Sequence, residues 1–143
     1  MEARVKKLKL EKVIKFLGEV SHDDVVEEMK KVHLFVLAST TSKKGDQEGI
    51  PNVLKEAMAT GLPVVSTKHA GIPELVRNGK SGVLVRERDA TAMADELLHL
   101  IKNPHKWGKM GKAGRKIVKK SFHTPKQIGE LENLYATILK KSR

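Results

Sequence analysis

Cysteine is absent from the 143 residues, which excludes disulfides, thiolate catalysis and zinc–cysteine sites. Aromatic residues are scarce, with one Trp, one Tyr and three Phe, so the chain has little to stack on nucleic-acid bases. No apolar run approaches the roughly 20 residues of a membrane span. The N-terminus lacks a signal-peptide pattern, so the cytoplasm is the default location. No internal repeat is visible. Acidic residues are nearly missing from one end. Residues 102–143 hold 12 Lys or Arg and 2 Glu, a net of +10, whereas residues 1–101 hold 16 basic and 15 acidic residues, a net of +1. The formal charge of +11 therefore belongs almost wholly to the last segment.

What is present suits one domain with a real core. Residues 2–12 read as the end of an amphipathic helix, and Val13–Leu17 as a strand stopped by Gly18. Ser21 caps the next helix, with Asp24 three positions on as its capping-box acid. Asp23 and Asp24 suit the positive end of that helix better than a metal site. Val32–Ala38 is a near-continuous apolar run, the mark of a buried strand. The polar stretch 39–47 then forms a loop at the carboxyl end of that strand, where open α/β sheets bind ligands. Leu62–Thr67 and Gly82–Val85 read as further strands. Asp89 caps a helix from about Ala90 to Ile101, and helices fill the remainder. Alternating strands and helices imply a parallel sheet covered on both faces, followed by an all-helical segment.

The informative stretch is Glu48–Ser66. Pro51 fits a first helical turn, and Val53, Leu54, Ala57 and Met58 form an apolar stripe. Gly61 ends the helix and Pro63-Val64-Val65 begins a strand. Glu48 thus precedes the helix and Glu56 lies on its second turn, on the same face as Asn52. Free N–H groups at the helix start make an anion site, and Gly49 admits close approach to the backbone. Carboxylates on either side can accept hydrogen bonds from sugar hydroxyls, so the pattern fits a nucleotide-sugar site. A plainer alternative also fits: Glu48 as a dipole partner and Glu56 as a solvated side chain. Spacing alone favours the plainer alternative.

The residue string itself adds information. Glu48-Gly49-Ile50-Pro51 through Glu56-Ala57-Met58-Ala59, then Gly61, Pro63-Val64-Val65, Gly71-Ile72-Pro73-Glu74-Leu75-Val76, Asn78-Gly79 and Gly82-Val83-Leu84-Val85, resembles the E-x7-E region of retaining glycosyltransferases of the GT-B fold, glycosyltransferase family 4. Phe16-Leu17-Gly18 and Phe35-Val36-Leu37-Ala38-Ser39 fit upstream. The run Gly45–Pro51 looks most like the branch that builds surface polysaccharides. The resemblance implies a Rossmann-like parallel sheet of about four strands with flanking helices, half of a GT-B fold. It implies a single partial nucleotide-sugar-binding domain over 1–143, with an α/β part (1–101) and basic C-terminal helices (102–143). Glu56 would bind the ribose hydroxyls and Glu48 the transferred sugar. Backbone N–H groups of Gly49, Ile50, Asn52 and Val53 would face the donor hexose and phosphates. Phe16, Leu17 and Gly18 would lie against the base. The donor would be a UDP- or GDP-linked sugar, used without metal or other cofactor. The reaction would be hexose transfer to a glycan or lipid-linked acceptor with retention, in polysaccharide biosynthesis.

Departures from the family pattern matter too. The acceptor-binding N-terminal domain and two further strand–helix units, with an Arg and a Lys for the diphosphate, are not found before Glu2. A missing N-terminal domain or partner chain is therefore expected, and the fragment alone is expected to be inactive. In the strand order 3-2-1-4-5-6 the absent pair would be central. That leaves the edge of 33–38 to be covered by Val13–Leu17 or by self-association. A non-catalytic binding or interaction module derived from the same fold is the alternative function. The basic tail reads first as a solvated face, next as attraction to an anionic membrane, peripheral at its inner surface, and last as nucleic-acid binding, which is not expected.

Overall fold

The computed structural model describes residues 1–42, 49–122 and 124–141. In chain order the elements are α1 (Glu2–Lys7), α2 (His22–Lys31), β1 (Phe35–Leu37), α3 (Asn52–Thr60), β2 (Val64–Thr67), α4 (Ile72–Leu75), β3 (Gly82–Val85), α5 (Ala90–Lys102), a 3-10 turn at Pro104–Lys106, α6 (Trp107–Ser121) and α7 (Thr124–Lys141). The three strands form one parallel sheet in the order β1-β2-β3. Phe35 pairs with Val64, and Val65 with Val83. β2 and β3 are buried along their whole length, as in a sheet covered on both faces, and the two hydroxyls of β2, Ser66 and Thr67, donate to the Leu37 and Ser39 carbonyls.

Two cores flank the sheet. Met29 of α2, Leu54, Ala57 and Met58 of α3, and Ile117 and Val118 of α6 pack with Val64 and Leu84 on one side. Leu97 and Leu100 of α5 pack with Val65 and Val83 on the other, joined by Met110 of α6. α6 therefore serves both cores, passing the amino edge of the sheet. There it meets the end of α3, where a Cβ added to Gly111 would lie 1.9 Å from the Gly61 carbonyl oxygen. No bulkier residue fits at position 111 without moving a backbone.

The local stop and start signals behave as expected. Ser21 accepts from the Asp24 backbone N–H at 3.2 Å and donates its hydroxyl to the Asp24 carboxylate at 2.7 Å. Asp89 accepts from the Ala92 N–H at 2.9 Å. Gly61 closes α3 in the left-handed region, φ 89°. Pro51 is the N-cap of α3, directly before the helical turn in which the sequence placed it.

Two expectations are corrected. The sheet has three described strands, not about four, because Val13–Leu17 pairs with nothing and Val13 remains 77% exposed. An apolar run has strand propensity but becomes a strand only beside a partner. The run Val32–Ala38 also shortens to Phe35–Leu37. Among the described residues the outer edge of β1 pairs with no strand and Val36 on it is exposed, so the expected cover by Val13–Leu17 is not formed. Among them, too, no helix is long and apolar enough to cross a membrane.

Candidate functional site

In a parallel sheet all carboxyl ends lie on one edge, so the segments after β1, β2 and β3 meet there. Those segments are Ala38–Ser42, Lys68–Gly71 and Arg86–Asp89. The next helix after β1 is α3, whose first turn faces the same edge. Its Asn52 and Val53 N–H groups have no carbonyl one turn earlier within the helix, whereas the Leu54 and Lys55 N–H groups turn back to the Pro51 carbonyl at 3.2 and 3.4 Å. Gly49 is exposed and Ile50 half-buried just before them. The chain after β2 packs directly on this entry: a Cβ on Gly71 would lie 2.7 Å from Ile50 Cγ1. Gly71 thus allows two loops to approach within backbone distance beside an open helix start.

Glu56 lies one turn into α3, on the side of Asn52, half-buried with 33% of its side chain exposed. The ring of His22, the first residue of α2, approaches its carboxylate at 4.0 Å. That contact brings the segment leading into α2 beside α3, and the same segment carries Phe16, Leu17 and Gly18. Phe16 and Leu17 are exposed, at 43% and 45%. Phe16 lines a depression with Val5, Glu11 and Ile14 on the α1 side, and Gly18 turns the chain at φ 70°. Glu48 lies outside the described residues.

A second polar cluster on this edge is not visible as a local motif. His69, only 2% exposed, holds Nδ1 2.8 Å from Glu87 Oε1. The carboxylate can only accept, so Nδ1 carries the proton. Glu87 also accepts from the Thr41 backbone N–H at 2.8 Å and from its hydroxyl at 3.2 Å. Arg88 donates to the Thr41 carbonyl at 3.2 Å. The Thr41 N–H, foremost, and then the His69 ring hold the Glu87 carboxyl below the ordinary Glu range. One residue from each of the three strand-end segments is therefore tied to the others. The loop after β1 is fixed at Thr41, within the polar stretch 39–47. The available signals were a His in a small-residue turn after a buried strand, and the charged run Glu87-Arg88-Asp89 after the next. Neither specifies a partner.

Fold and site geometry can be set beside known proteins. The family model for glycosyl transferases group 1 matches residues 1–117. The chain belongs to that family. It is 46% identical over 91 residues to the amylovoran biosynthesis glycosyltransferase AmsK of Erwinia amylovora, covering 64% of this chain and 22% of that protein. It is 32% identical over 139 residues to the N-acetyl-alpha-D-glucosaminyl L-malate synthase of Bacillus anthracis, covering 97% of this chain and 34% of the relative. Among solved structures, Anabaena Alr3699/HepE in complex with UDP superposes with a TM-score of 0.85 at 25% identity, over 95% of this chain and 35% of that one. The same protein is also known with UDP-glucose. This group 1 chain thus spans between about a fifth and about a third of the length of these curated relatives. Its described sheet and flanking helices are those of a GT-B domain of the C-terminal type. The stretch matching the family contains α3, Glu56 and the whole three-loop edge.

Proposed function

We propose that this chain is the donor-binding part of a retaining glycosyltransferase that moves a hexose from a nucleoside diphosphate sugar to a glycan or lipid-linked acceptor in polysaccharide biosynthesis. The observation that carries the reading is the start of α3 at the carboxyl edge of the sheet, whose Asn52 and Val53 N–H groups meet no backbone carbonyl among the described residues, with the Glu56 carboxylate one turn inside it. Unpaired N–H groups at a helix start attract a diphosphate. A half-buried carboxylate one turn away accepts from vicinal hydroxyls, as a ribose presents. The 25% identity to a protein known with UDP and UDP-glucose, spread over 95% of this chain, supports a uridine nucleotide as the first ligand to try.

The roles are those that the family resemblance implies. Glu56 takes the ribose hydroxyls, and the Gly49, Ile50, Asn52 and Val53 N–H groups take the phosphates and the hexose. Glu48 contacts the transferred sugar, and Phe16–Gly18 lie against the base. During transfer the bond from the anomeric carbon to the phosphate oxygen breaks, and a bond to an acceptor hydroxyl oxygen forms on the same face. The nucleoside diphosphate leaves with the bonding electron pair, the α3 N-terminus stabilises the charge that develops on it, and its departing oxygen takes the proton of the acceptor hydroxyl. The rest of the rate comes from holding donor and acceptor together. Two carboxylates flanking a glycosidic bond would instead suggest hydrolysis, but Glu56 engaged with ribose is withdrawn from that role.

Titration calorimetry with UDP and UDP-glucose tests the reading. Glu56→Gln should weaken binding by about 1.5–3 kcal/mol, the worth of a charge-assisted hydrogen bond. Equal affinity of the two proteins for every uridine and guanosine nucleotide sugar would remove Glu56 from the site.

A further inference from the structure

The positive charge of the last segment is not spread over it. α7 holds three Lys against two Glu, whereas α6 holds five Lys and one Arg with no acid. At about 100° per residue, Lys109, Lys112, Lys116, Lys119 and Lys120 fall in one sector, with Arg115 at its flank. Met110, Gly111, Gly114, Ile117 and Val118 fall opposite and pack inward. All six cations are exposed. The band continues past the helix. Lys80 shares one shallow depression with Lys106 and Lys109, and Arg77 shares another with Lys116 and Lys120. A third is lined by Lys112, Arg115, Lys116, Lys119 and Lys120 alone. Among the described residues, Glu74 is the one carboxylate lining any of the three.

We propose that this band, the outward face of α6 with Arg77 and Lys80, is a docking surface for an anionic lipid bilayer. The chemistry is that of a diffuse electrostatic contact. Lysine is a hydrated point charge on a flexible stem, suited to a plane of mobile headgroups. The face is about 22 Å long, so its charge is spread along several lysines and not gathered at one point. It presents two Arg, Arg77 and Arg115, among its lysines, and no Asn, Gln, Phe, Tyr or Trp side chain lines its depressions, so it has little with which to read base edges or stack on bases. Its placement leaves the candidate donor site open. α6 meets Gly61, just before β2, and Arg77 and Lys80 just precede β3. The band therefore lies toward the amino edge of the sheet, and the three-loop edge is opposite.

Sedimentation of the purified chain with phosphatidylcholine vesicles, with and without phosphatidylglycerol, tests this. The chain should pellet with the anionic vesicles at low salt. It should be released at about 1 M salt, where the Debye length shrinks to about 3 Å. At about fivefold per basic residue, the triple variant Lys112→Glu, Lys116→Glu, Lys119→Glu should lower partitioning by a hundredfold or more. The variant Lys6→Glu, Lys7→Glu, Lys12→Glu makes the same change in net charge at the other end of the chain and should lower it far less. Circular dichroism verifies that both variants are folded, as expected for exposed positions. Equal losses in the two variants would mean that net charge, not this face, attracts the bilayer. Failure to pellet at low salt would overturn the proposal, and so would capture by duplex DNA in preference to anionic vesicles. Every outcome is independent of whether nucleotide sugars bind.

Discussion

Replacing Gly111 by Ala should destabilise the protein, although helix propensity alone argues the reverse. The added Cβ would sit 1.9 Å from the Gly61 carbonyl oxygen and 2.8 Å from its carbonyl carbon. Gly61 cannot yield cheaply. It is the left-handed cap of α3, its N–H bonds to Met58, and the Leu62 N–H that follows bonds to Ala57, each at 3.1 Å. α6 must therefore back away, by about 1 Å to reach even a tight contact. A gap of about 0.5–1 Å already forfeits a quarter to a half of each dispersion contact it opens. Those contacts include Ile117 and Val118 against the α3 side of the core. Overpacking of this kind costs about 1–3 kcal/mol, and the upper end applies because the obstacle is backbone. Exchanging Gly for Ala in a helix returns about 1 kcal/mol. The net loss is then about 2 kcal/mol. Gly129 in α7 would meet nothing within 4 Å, so Gly129→Ala should instead be stabilising, by about 0.5–1 kcal/mol. Urea denaturation reads both as shifts of midpoint at constant slope. A Gly111→Ala protein as stable as the parent would refute the close approach of α6 to the α3 cap.

Two other outcomes follow from the loop edge. Gly71→Ala places a Cβ 2.7 Å from Ile50 Cγ1 and should displace the Gly49–Ile50 entry to α3, weakening UDP binding about tenfold, or about 1.4 kcal/mol; an unchanged affinity would show that the donor does not use this turn. Glu87 is held below the ordinary Glu range in the folded state, so the unfolded chain binds its proton first as pH falls. Its contribution should be complete above about pH 5 and be lost below about pH 4, and Glu87→Gln should lower stability at neutral pH while flattening that acid limb. Parallel acid limbs in urea titrations of the two proteins would separate Glu87 from the acid sensitivity.

The sequence-visible features and the hidden ones divide by distance along the chain. Ser21 with Asp24, Asp89 with Ala92, and Gly61 at the end of α3 were legible because each signal is completed within three or four residues. Val13–Leu17 has the composition of a strand but pairs with nothing described, because pairing depends on chain far away in sequence. The same limit hid His69, whose partners Thr41 and Glu87 stand 28 and 18 residues away, and the approach of His22 to Glu56. α6 shows both behaviours in one element. Its charge could be counted from the sequence, and its period assigns lysines to one side and Gly111 and Gly114 to the other. What the period could not supply is the obstacle that the small side meets, the Gly61 carbonyl that ends α3. Small residues let α6 lie against that cap at the amino edge of the sheet, and the same turn of the helix then aims the lysines into solvent. Close packing and the positive face are thus one geometric requirement, so a substitution that tilts α6 off Gly61 should also turn the whole lysine face relative to the sheet.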